Sequence, residues 1–438
     1  MQGYYFLNAS HGGVDYTWSS IAETMAFQDG DIPLPLVVAD GQYFNNSEAD
    51  PTFDLPIYEI SPWEFGTYDD SMYGFAPLKY LGSRFVSGAL PENETCVLGF
   101  DNAGFITGTS SDIYNEGGVD ISVMLTTQVI PQIPTNTTEG VELVALLTEA
   151  VTEYFSAVSS TNATVDGPAA YDPNPFYQYN TATSKFAQDT RLTVVDGGEN
   201  GQNIPLYPLI QKKRNVDVIF AIDSDNDDRE YKWPNGTSLV HTYERTLAGF
   251  ANDTSFPSIP DVNTFLNLGL NSQPTFFGCN SSNLTTPAPL IVYLPNHPIT
   301  AMSNVSVFDT SFSNEERDSY IINGYNVVTQ GNGTLDSEWS TCVGCAILSR
   351  SFDRTNTTVP QACTKCFEQY CWNGTIDAQT PPASVYAPTE VLPANSTTAT
   401  STSTSAKKTG AANSLSSSLV SVWGPAGVMA GMILFAIV

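Results

Sequence analysis

The sequence predicts a mixed α/β fold, and three observations predict it. Apolar β-branched runs end at an acid in Leu192-T-V-V-D, Val216-D-V-I-F-A-I-D and Pro33-L-P-L-V-V-A-D, the pattern of short buried strands closed by turns. Val141-E-L-V-A-L-L-T-E-A-V-T-E-Y-F instead carries its apolar residues at helical spacing. The chain is also long, 438 residues with 41% apolar and 11% aromatic side chains, so it can bury a large core.

Taken in order, residues 1 to about 125 mix short strand-like runs with Pro/Gly turns. Pro33–Gly41 reads as a buried strand ending in a turn, and Tyr58-E-I-S-P-W-E-F-G as an aromatic strand and loop. Gly99-F-D-N-A-G-F-I-T-G-T-S-Ser111 is glycine-punctuated and opens a helix. Thr137 or Thr138 caps the Val141 helix, with Glu139 and Glu142 near its first turn. Asn174-P-F-Y starts the loop that leads to Leu192–Asp196, and Val216–Asp223 follows as a second buried strand after a short connection. No internal repeat is evident.

The segment Leu192–Asp223 carries the most chemical information. Asp196 leaves a β-branched run and is followed at once by Gly197 and Gly198. Many α/β enzymes present a catalytic acid in this way, at a sheet's edge in a glycine-lined turn. An ordinary Asp-Gly turn closing a strand has the same sequence.

Charge narrows the partners. Forty-six acidic residues against 16 basic ones leave a formal net charge of -30. No basic patch is available to neutralise phosphates, which argues against nucleic acid and against adhesion to anionic membranes. The three histidines, His11, His241 and His297, sit in no nucleophile context, and no G-x-S-x-G, Walker loop or H-E-x-x-H occurs. No cofactor is expected. Asp223, Asp225, Asp227 and Asp228 form a dense cluster that could take calcium, but the spacing is not an EF-hand loop and reads as a solvated acidic loop.

The compartment is suggested by sequons at Asn8, Asn45, Asn93, Asn136, Asn162, Asn235, Asn252, Asn280, Asn283, Asn304, Asn332, Asn356, Asn373 and Asn395. A chain of this composition would give roughly half as many by chance, so N-linked glycans are expected. Cys342, Cys345, Cys363 and Cys366 form C-x2-C-x17-C-x2-C, a zinc-ribbon spacing. Sequons at Asn356 within that run and Asn373 just after it point to the secretory route, where disulfides are favoured over thiolate–zinc sites. No metal is therefore expected, and connectivity is not readable from spacing. The total of seven cysteines, with Cys96, Cys279 and Cys371, leaves one thiol over and hints at a partner cysteine upstream.

The end of the chain divides again. Residues 377–418 are rich in Ser and Thr and read as a disordered stalk. Residues 419–438 are apolar to the last residue, behind the small-residue patch Gly410-A-A-Asn413. That arrangement fits a GPI-attachment signal, with a simple tail anchor as the other reading. Met1-Q-G-Y-Y-F-L-N-A-S shows no basic n-region and no adequate apolar stretch for a signal peptide. An N-terminally incomplete chain, displayed at the cell surface through its C-terminus, is the expectation.

Several long motifs together carry a resemblance. V-D-G-G-E-N-G-Q-N-I-P-L-Y-P-L-I-Q, G-V-D-Y-T-W-S-S, Y-E-I-S-P-W-E-F-G, G-F-D-N-A-G-F-I-T-G-T-S-S, W-P-N-G-T-S-L-V, L-N-L-G-L-N-S-Q-P-T-F-F-G-C and P-L-I-V-Y-L-P-N, with the cysteine run ending C-W-N-G, resemble the fungal lysophospholipase (phospholipase B) family from about residue 10 to 375. The resemblance implies a cytosolic phospholipase A2-like, patatin-related catalytic domain over 1–335, with 336–376 as its Cys-rich C-terminal part. It also implies a secreted or GPI-anchored hydrolase of the fatty-acyl ester of lysophospholipids, with diacyl phospholipids as a further candidate substrate, acting through a Ser–Asp dyad. Asp196 falls at the family's dyad acid. The family's G-x-S-G-G-S nucleophile segment, its oxyanion glycines and its arginine have no counterpart here, and Ser19, Ser20, Ser110 and Ser111 read as structural. The resemblance therefore implies half a dyad and a chain inactive alone. A non-catalytic cell-surface glycoprotein that keeps the scaffold is the alternative.

Overall fold

The computed structural model describes residues 16–42, 55–110, 169–227, 231–249, 254–281, 288–305, 312–382 and 387–393, with single residues of a helix at Val141, Val144 and Thr148. The rest of the helix expected from Val141, the stalk apart from residues 377–382 and 387–393, the apolar tail, His11 and Asp228 lie outside the described residues. The chain divides into two compact units at Val216/Asp217, residues 241–256 returning to the first.

The first unit is built on a six-stranded sheet of order β4-β3-β2-β1-β6-β5. The strands are β1 (Val37–Gly41), β2 (Ile57–Ile60), β3 (Glu64–Thr67), β4 (Gly74–Pro77), β5 (Ala169–Tyr171) and β6 (Leu192–Asp196). All of its pairings are antiparallel. β1 and β6 are the strands expected at Pro33–Gly41 and Leu192–Asp196. The Y-E-I-S-P-W-E-F-G run folds as the β2–β3 hairpin, its turn held by the Ser61 hydroxyl, which accepts from the Trp63 and Glu64 amides at 3.2 and 3.1 Å. Aromatic rings fill one face: Tyr58 stacks on Phe65 at 5.2 Å, and Phe65 on Tyr171 at 4.9 Å. Such pairs add about 0.5–1.5 kcal/mol each beyond area burial.

Two helices of this unit are short, α1 (Met25–Gln28) and α2 (Ala103–Thr109). The second is the one predicted inside Gly99–Ser111. Asn102 caps it, its side chain accepting from the Phe105 amide at 2.9 Å. The preceding Asp101 takes the Trp18 amide on its carbonyl at 2.8 Å and the Ser19 amide on its carboxylate at 2.9 Å. Two motifs far apart in sequence thus meet as one structural tie.

The second unit holds a three-stranded sheet of order β7-β9-β8: β7 (Val218–Asp223), β8 (Thr275–Phe277) and β9 (Leu290–Pro295). β7 runs parallel to β9, and β8 antiparallel. The two strands expected on either side of the Asp196 turn therefore belong to different sheets. β9 is buried at every position, as a near-continuous apolar run requires when both faces are covered. The helices are α3 (Thr237–Ala248), whose second half from His241 belongs to the first unit, α4 (Val262–Asn267), α5 (Asn314–Thr329), α6 (Trp339–Thr355) and α7 (Gln361–Tyr370). α5 opens with a capping box between Ser313 and Glu316.

The cysteines form disulfides: Cys342–Cys366, Cys345–Cys363 and Cys279–Cys371. Residues three apart share a helix face, so Cys342 and Cys345 of α6 meet Cys366 and Cys363 of antiparallel α7. Cys279–Cys371 ties the end of α7 to the segment after β8. Cys96 is exposed and unpaired. Around the bridges pack Phe276, Trp339 and Tyr370, with ring centroids at 5.3 Å for Phe276–Tyr370 and 5.1 Å for Trp339–Tyr370.

The acid cluster departs from expectation. Asp223 is fully buried rather than solvated. Tyr293 donates to its carboxylate at 2.7 Å, and the Asp225 amide at 3.0 Å. Asp225 accepts from the Ser238 hydroxyl at 3.0 Å, and Asp227 from the Asn235 amide at 2.8 Å. Burial, then the neighbouring Asp225 and Asp227 charges, push the Asp223 carboxyl well above the usual range. The acids are capping and bracing groups of the loop after β7. Among the described residues, no group of three or more His, Cys, Asp or Glu side chains is arranged to hold a metal.

The Cys345–Cys363 bridge closes a span of 18 residues, which in the chain-entropy account is worth about 3 kcal/mol. Replacing both cysteines by serine should lower the unfolding free energy of the second unit by about 2–4 kcal/mol, read by denaturant titration with amide exchange in α6 and α7 as the probe. An unchanged midpoint would show that packing and the remaining Cys342–Cys366 bridge hold α6 to α7 without it.

Candidate active site

Asp196 is the last residue of β6 and is half-buried. β6 is an internal strand between β1 and β5, so the acid emerges at a strand end rather than along an exposed edge. Its carboxylate accepts the Gly198 amide at 2.7 Å, an Asx turn. The Glu199 amide donates to the Asp196 carbonyl at 3.2 Å, and the Gly201 amide to the Gly198 carbonyl at 2.8 Å. Two successive tight turns follow the strand.

The glycines are required by space more than by backbone angle. Neither Gly197 nor Gly198 has a left-handed φ. A Cβ on Gly197 would lie 2.8 Å from the Val38 carbonyl oxygen, and one on Gly198 would lie 2.0 Å from Asn203 Oδ1. Gly201 is different: its φ is +76°, and a Cβ there would lie 1.9 Å from His241 Nδ1. His241, which the sequence left without a role, is thus the helix side chain against which the turn is seated.

The turn is tied to the sheet by a buried polar chain. Asn200 and Asp40 are both fully buried. The Asn200 amide donates to Asp40 Oδ2 at 3.1 Å, and its side-chain nitrogen to Oδ1 at 3.1 Å. Asn200 Oδ1 accepts the Gln202 amide at 2.9 Å, and Gln202 Oε1 accepts the Thr242 hydroxyl at 3.1 Å. Burial pushes the Asp40 carboxyl well up; the Arg245 cation and the Asn200 bond oppose this, and the Asp196 charge adds to it. Arg245, itself buried, donates to Asp69 at 3.0 Å and to the Leu55 carbonyl at 3.2 Å, and lies over the Tyr207 ring at 5.0 Å.

Asp40, Asn200, Gln202, Thr242 and Arg245 were not singled out from sequence. One signal was present: V-V-A-D-G at the end of β1 mirrors V-V-D-G-G at the end of β6. The serines near the matching motifs are engaged locally. Ser19 donates its hydroxyl to Thr17 at 3.4 Å and Ser20 to the Thr17 carbonyl at 2.6 Å, while Ser110 caps the end of α2. Ser111 lies outside the described residues. His297 is buried with Nδ1 3.2 Å from the Pro295 carbonyl, and burial lowers its pKa. Elsewhere in the first unit an open apolar groove of about 400 Å³ is lined by Ala22, Phe27, Gln28, Ile32, Leu34 and Trp63, none of them from the turn.

Fold and turn define a mixed α/β protein that presents one half-buried acid, braced from behind, at the end of an internal strand. The chain belongs to the lysophospholipase catalytic-domain family, whose model matches residues 1–377. It is 51% identical over 395 residues to a lysophospholipase of Penicillium chrysogenum, covering 90% of this chain and 60% of that protein. Lysophospholipase 1 of Saccharomyces cerevisiae is 41% identical over 375 residues, covering 84% and 53%. The chain thus spans somewhat over half the length of these relatives. Human GIVD cytosolic phospholipase A2 aligns in structure over 81% of this chain and 47% of its own, with a TM-score of 0.46 and 17% identity, a likeness too loose to carry an argument.

Two outcomes follow from this geometry. Gly201→Ala combines a left-handed φ with a steric overlap on His241, and should cost more than about 2 kcal/mol in unfolding free energy; a neutral change would show that the turn is not seated on the helix. Glu59, buried on β2 and paired with Arg214, is pushed up to about 7, chiefly by burial. Its folded pKa lies above the unfolded one, so its contribution is complete below about pH 4.5 and is lost as pH rises through 7. Unfolding free energy should therefore fall from pH 4.5 to 7, by up to about 1.4 kcal/mol per unit from this group. Glu59→Gln should flatten that slope, and an equal slope in the variant would contradict the assignment.

Proposed function

We propose that the chain is the acid-bearing part of a lysophospholipase, which cleaves the fatty-acyl ester of lysophospholipids, with Asp196 as the acid of a Ser–Asp dyad. The observation that carries this reading is Asp196 itself. It is the half-buried carboxylate at the end of β6, within the family's matched segment and held in a turn whose glycines pack closely against Val38 and Asn203. In this chemistry a serine hydroxyl attacks the ester carbonyl as its proton passes to the Asp196 carboxylate. The same proton then goes to the departing glycerol oxygen. Water hydrolyses the acyl-enzyme, Asp196 accepting a proton from the water and returning it to serine as the fatty acid leaves.

The 438 residues contain no G-x-S-G-G-S segment, and we assign no serine of this chain as nucleophile. The Ser19 and Ser20 hydroxyls are committed to local hydrogen bonds with Thr17. Surface display agrees with the disulfides, which belong to oxidising compartments. N-glycans on the sequons and a C-terminal GPI anchor complete the proposal. Among the described residues, no helix is long and apolar enough to cross a membrane.

The test is hydrolysis of lysophosphatidylcholine by two proteins: this chain, and the same chain preceded by the family's nucleophile-bearing segment. The extended protein should be active, and Asp196→Asn should lower its kcat by about 10³-fold or more, the scale of losing a catalytic base. The chain alone should be inactive. Hydrolysis by the chain alone that survives Asp196→Asn would overturn both the acid assignment and the missing nucleophile.

A further inference from the structure

We propose that Asp40 is a positioning residue for Asp196, holding the turn that aims the catalytic carboxylate through a two-point hydrogen bond to Asn200. The proposal rests on the reading of Asp196 as the dyad acid.

Asp40 cannot touch substrate, because it is fully buried. Nor does it share a face with Asp196. In the β1–β6 ladder Asp40 is opposite Val195 and Ala39 is opposite Asp196, and directly paired residues share a face while neighbours along a strand alternate. Asp40 therefore acts around the strand end, by way of the loop. Both of its oxygens are used, one by the Asn200 backbone and one by the Asn200 side chain, each at 3.1 Å. Two bonds to one residue fix its orientation as well as its position. The loop between Asp196 and Asn200 is then pinned at both ends, by the Asp196–Gly198 bond at 2.7 Å and by Asp40. With so few residues between the pins, Asp196 has little freedom to rotate away.

A buried carboxylate is a costly way to hold a loop unless its charge is balanced and its lone pairs are filled. Asn200 fills them, and Arg245 supplies the nearby positive charge. Arg245 is held in turn by Asp69, Leu55 and Tyr207. An apolar pair at positions 40 and 200 would avoid this desolvation cost, but could not orient the loop. Directional bonding is what the charged group adds here.

The proposal is tested by reversing the polarity of the bond. Asp40→Asn alone sets two amide groups against each other, and Asn200→Asp alone buries two carboxylates face to face. In the double variant the amide at position 40 donates to the carboxylate at position 200, whose remaining oxygen still accepts from Gln202. The readout is the ¹³C-carboxyl resonance of Asp196 in the full chain labelled at aspartate, assigned by its loss in Asp196→Asn. Each single variant should shift and broaden that resonance, and the double variant should restore it. A resonance unmoved in the single variants, with only thermal stability reduced, would make Asp40 merely structural and overturn the proposal. So would a folded double variant that fails to restore it. If Asp40→Asn does not fold, Asn200→Ser removes the side-chain bond to Asp40 while its hydroxyl oxygen can still accept from the Gln202 amide, and should give a smaller shift in the same sense; an unchanged resonance there also overturns it. The resonance reports the surroundings of the Asp196 carboxylate and not turnover, and Asn200→Ser, which changes no charge, separates the geometry of the loop from the loss of the Asp40 charge. Loss of the dyad reading would instead appear as activity surviving Asp196→Asn in the extended protein, with this brace intact.

Discussion

The pairing of β1 with β6 is the constraint on which the first unit depends. It joins segments about 160 residues apart, a separation set by the Asp40–Asn200 contact. Closing a loop of that length costs entropy before any local contact repays it. The repayment comes from the aromatic stack over β2, β3 and β5, and from the buried residues of β6 itself. Once the two strands are in register, Asp196 is at a strand end and Asp40 lies behind the turn. A slip of one residue would exchange their faces and destroy both placements.

The second unit is stabilised by other means. Its sheet has three strands among the described residues, too few for a large core, and disulfides cross-link the helices and strand ends that cover it. Its acids are used structurally: Asp223 and Tyr293 bond across the parallel β7–β9 pair. A dense run of aspartates need not be a solvated surface or an ion site when each carboxylate finds an amide or hydroxyl donor.

Local pattern made the strands legible. β1, β6 and β7 each read as apolar β-branched runs, and α2 as the helix opened within Gly99–Ser111. Burial of Asp223 was not legible, because its partner Tyr293 lies on a strand 70 residues away. The fate of β6 and β7, consecutive in sequence yet placed in separate sheets, was hidden for the same kind of reason: strand order is set by long-range pairing. At the site, the D-G-G turn pointed to Asp196, but its glycines proved to answer to the Val38 carbonyl and Asn203 rather than to φ. Asp40, Asn200 and Arg245 left only the weak echo between V-V-A-D-G and V-V-D-G-G. Cysteine spacing fitted either zinc or disulfides, and the Cys342–Cys366 and Cys345–Cys363 bonds decide for disulfides.

The Asp196 turn is part of the folded core and not a surface loop. Amide hydrogen exchange at Gly198, Asn200 and Gly201 tests it most directly, since exposed loop amides exchange with little protection and core amides exchange only through large-scale opening. These three amides should be protected to within about 1–2 kcal/mol of the buried β6 amides. Exchange at Asn200 near the rate of an unstructured chain would contradict it, and the brace from Asp40 would have to be abandoned.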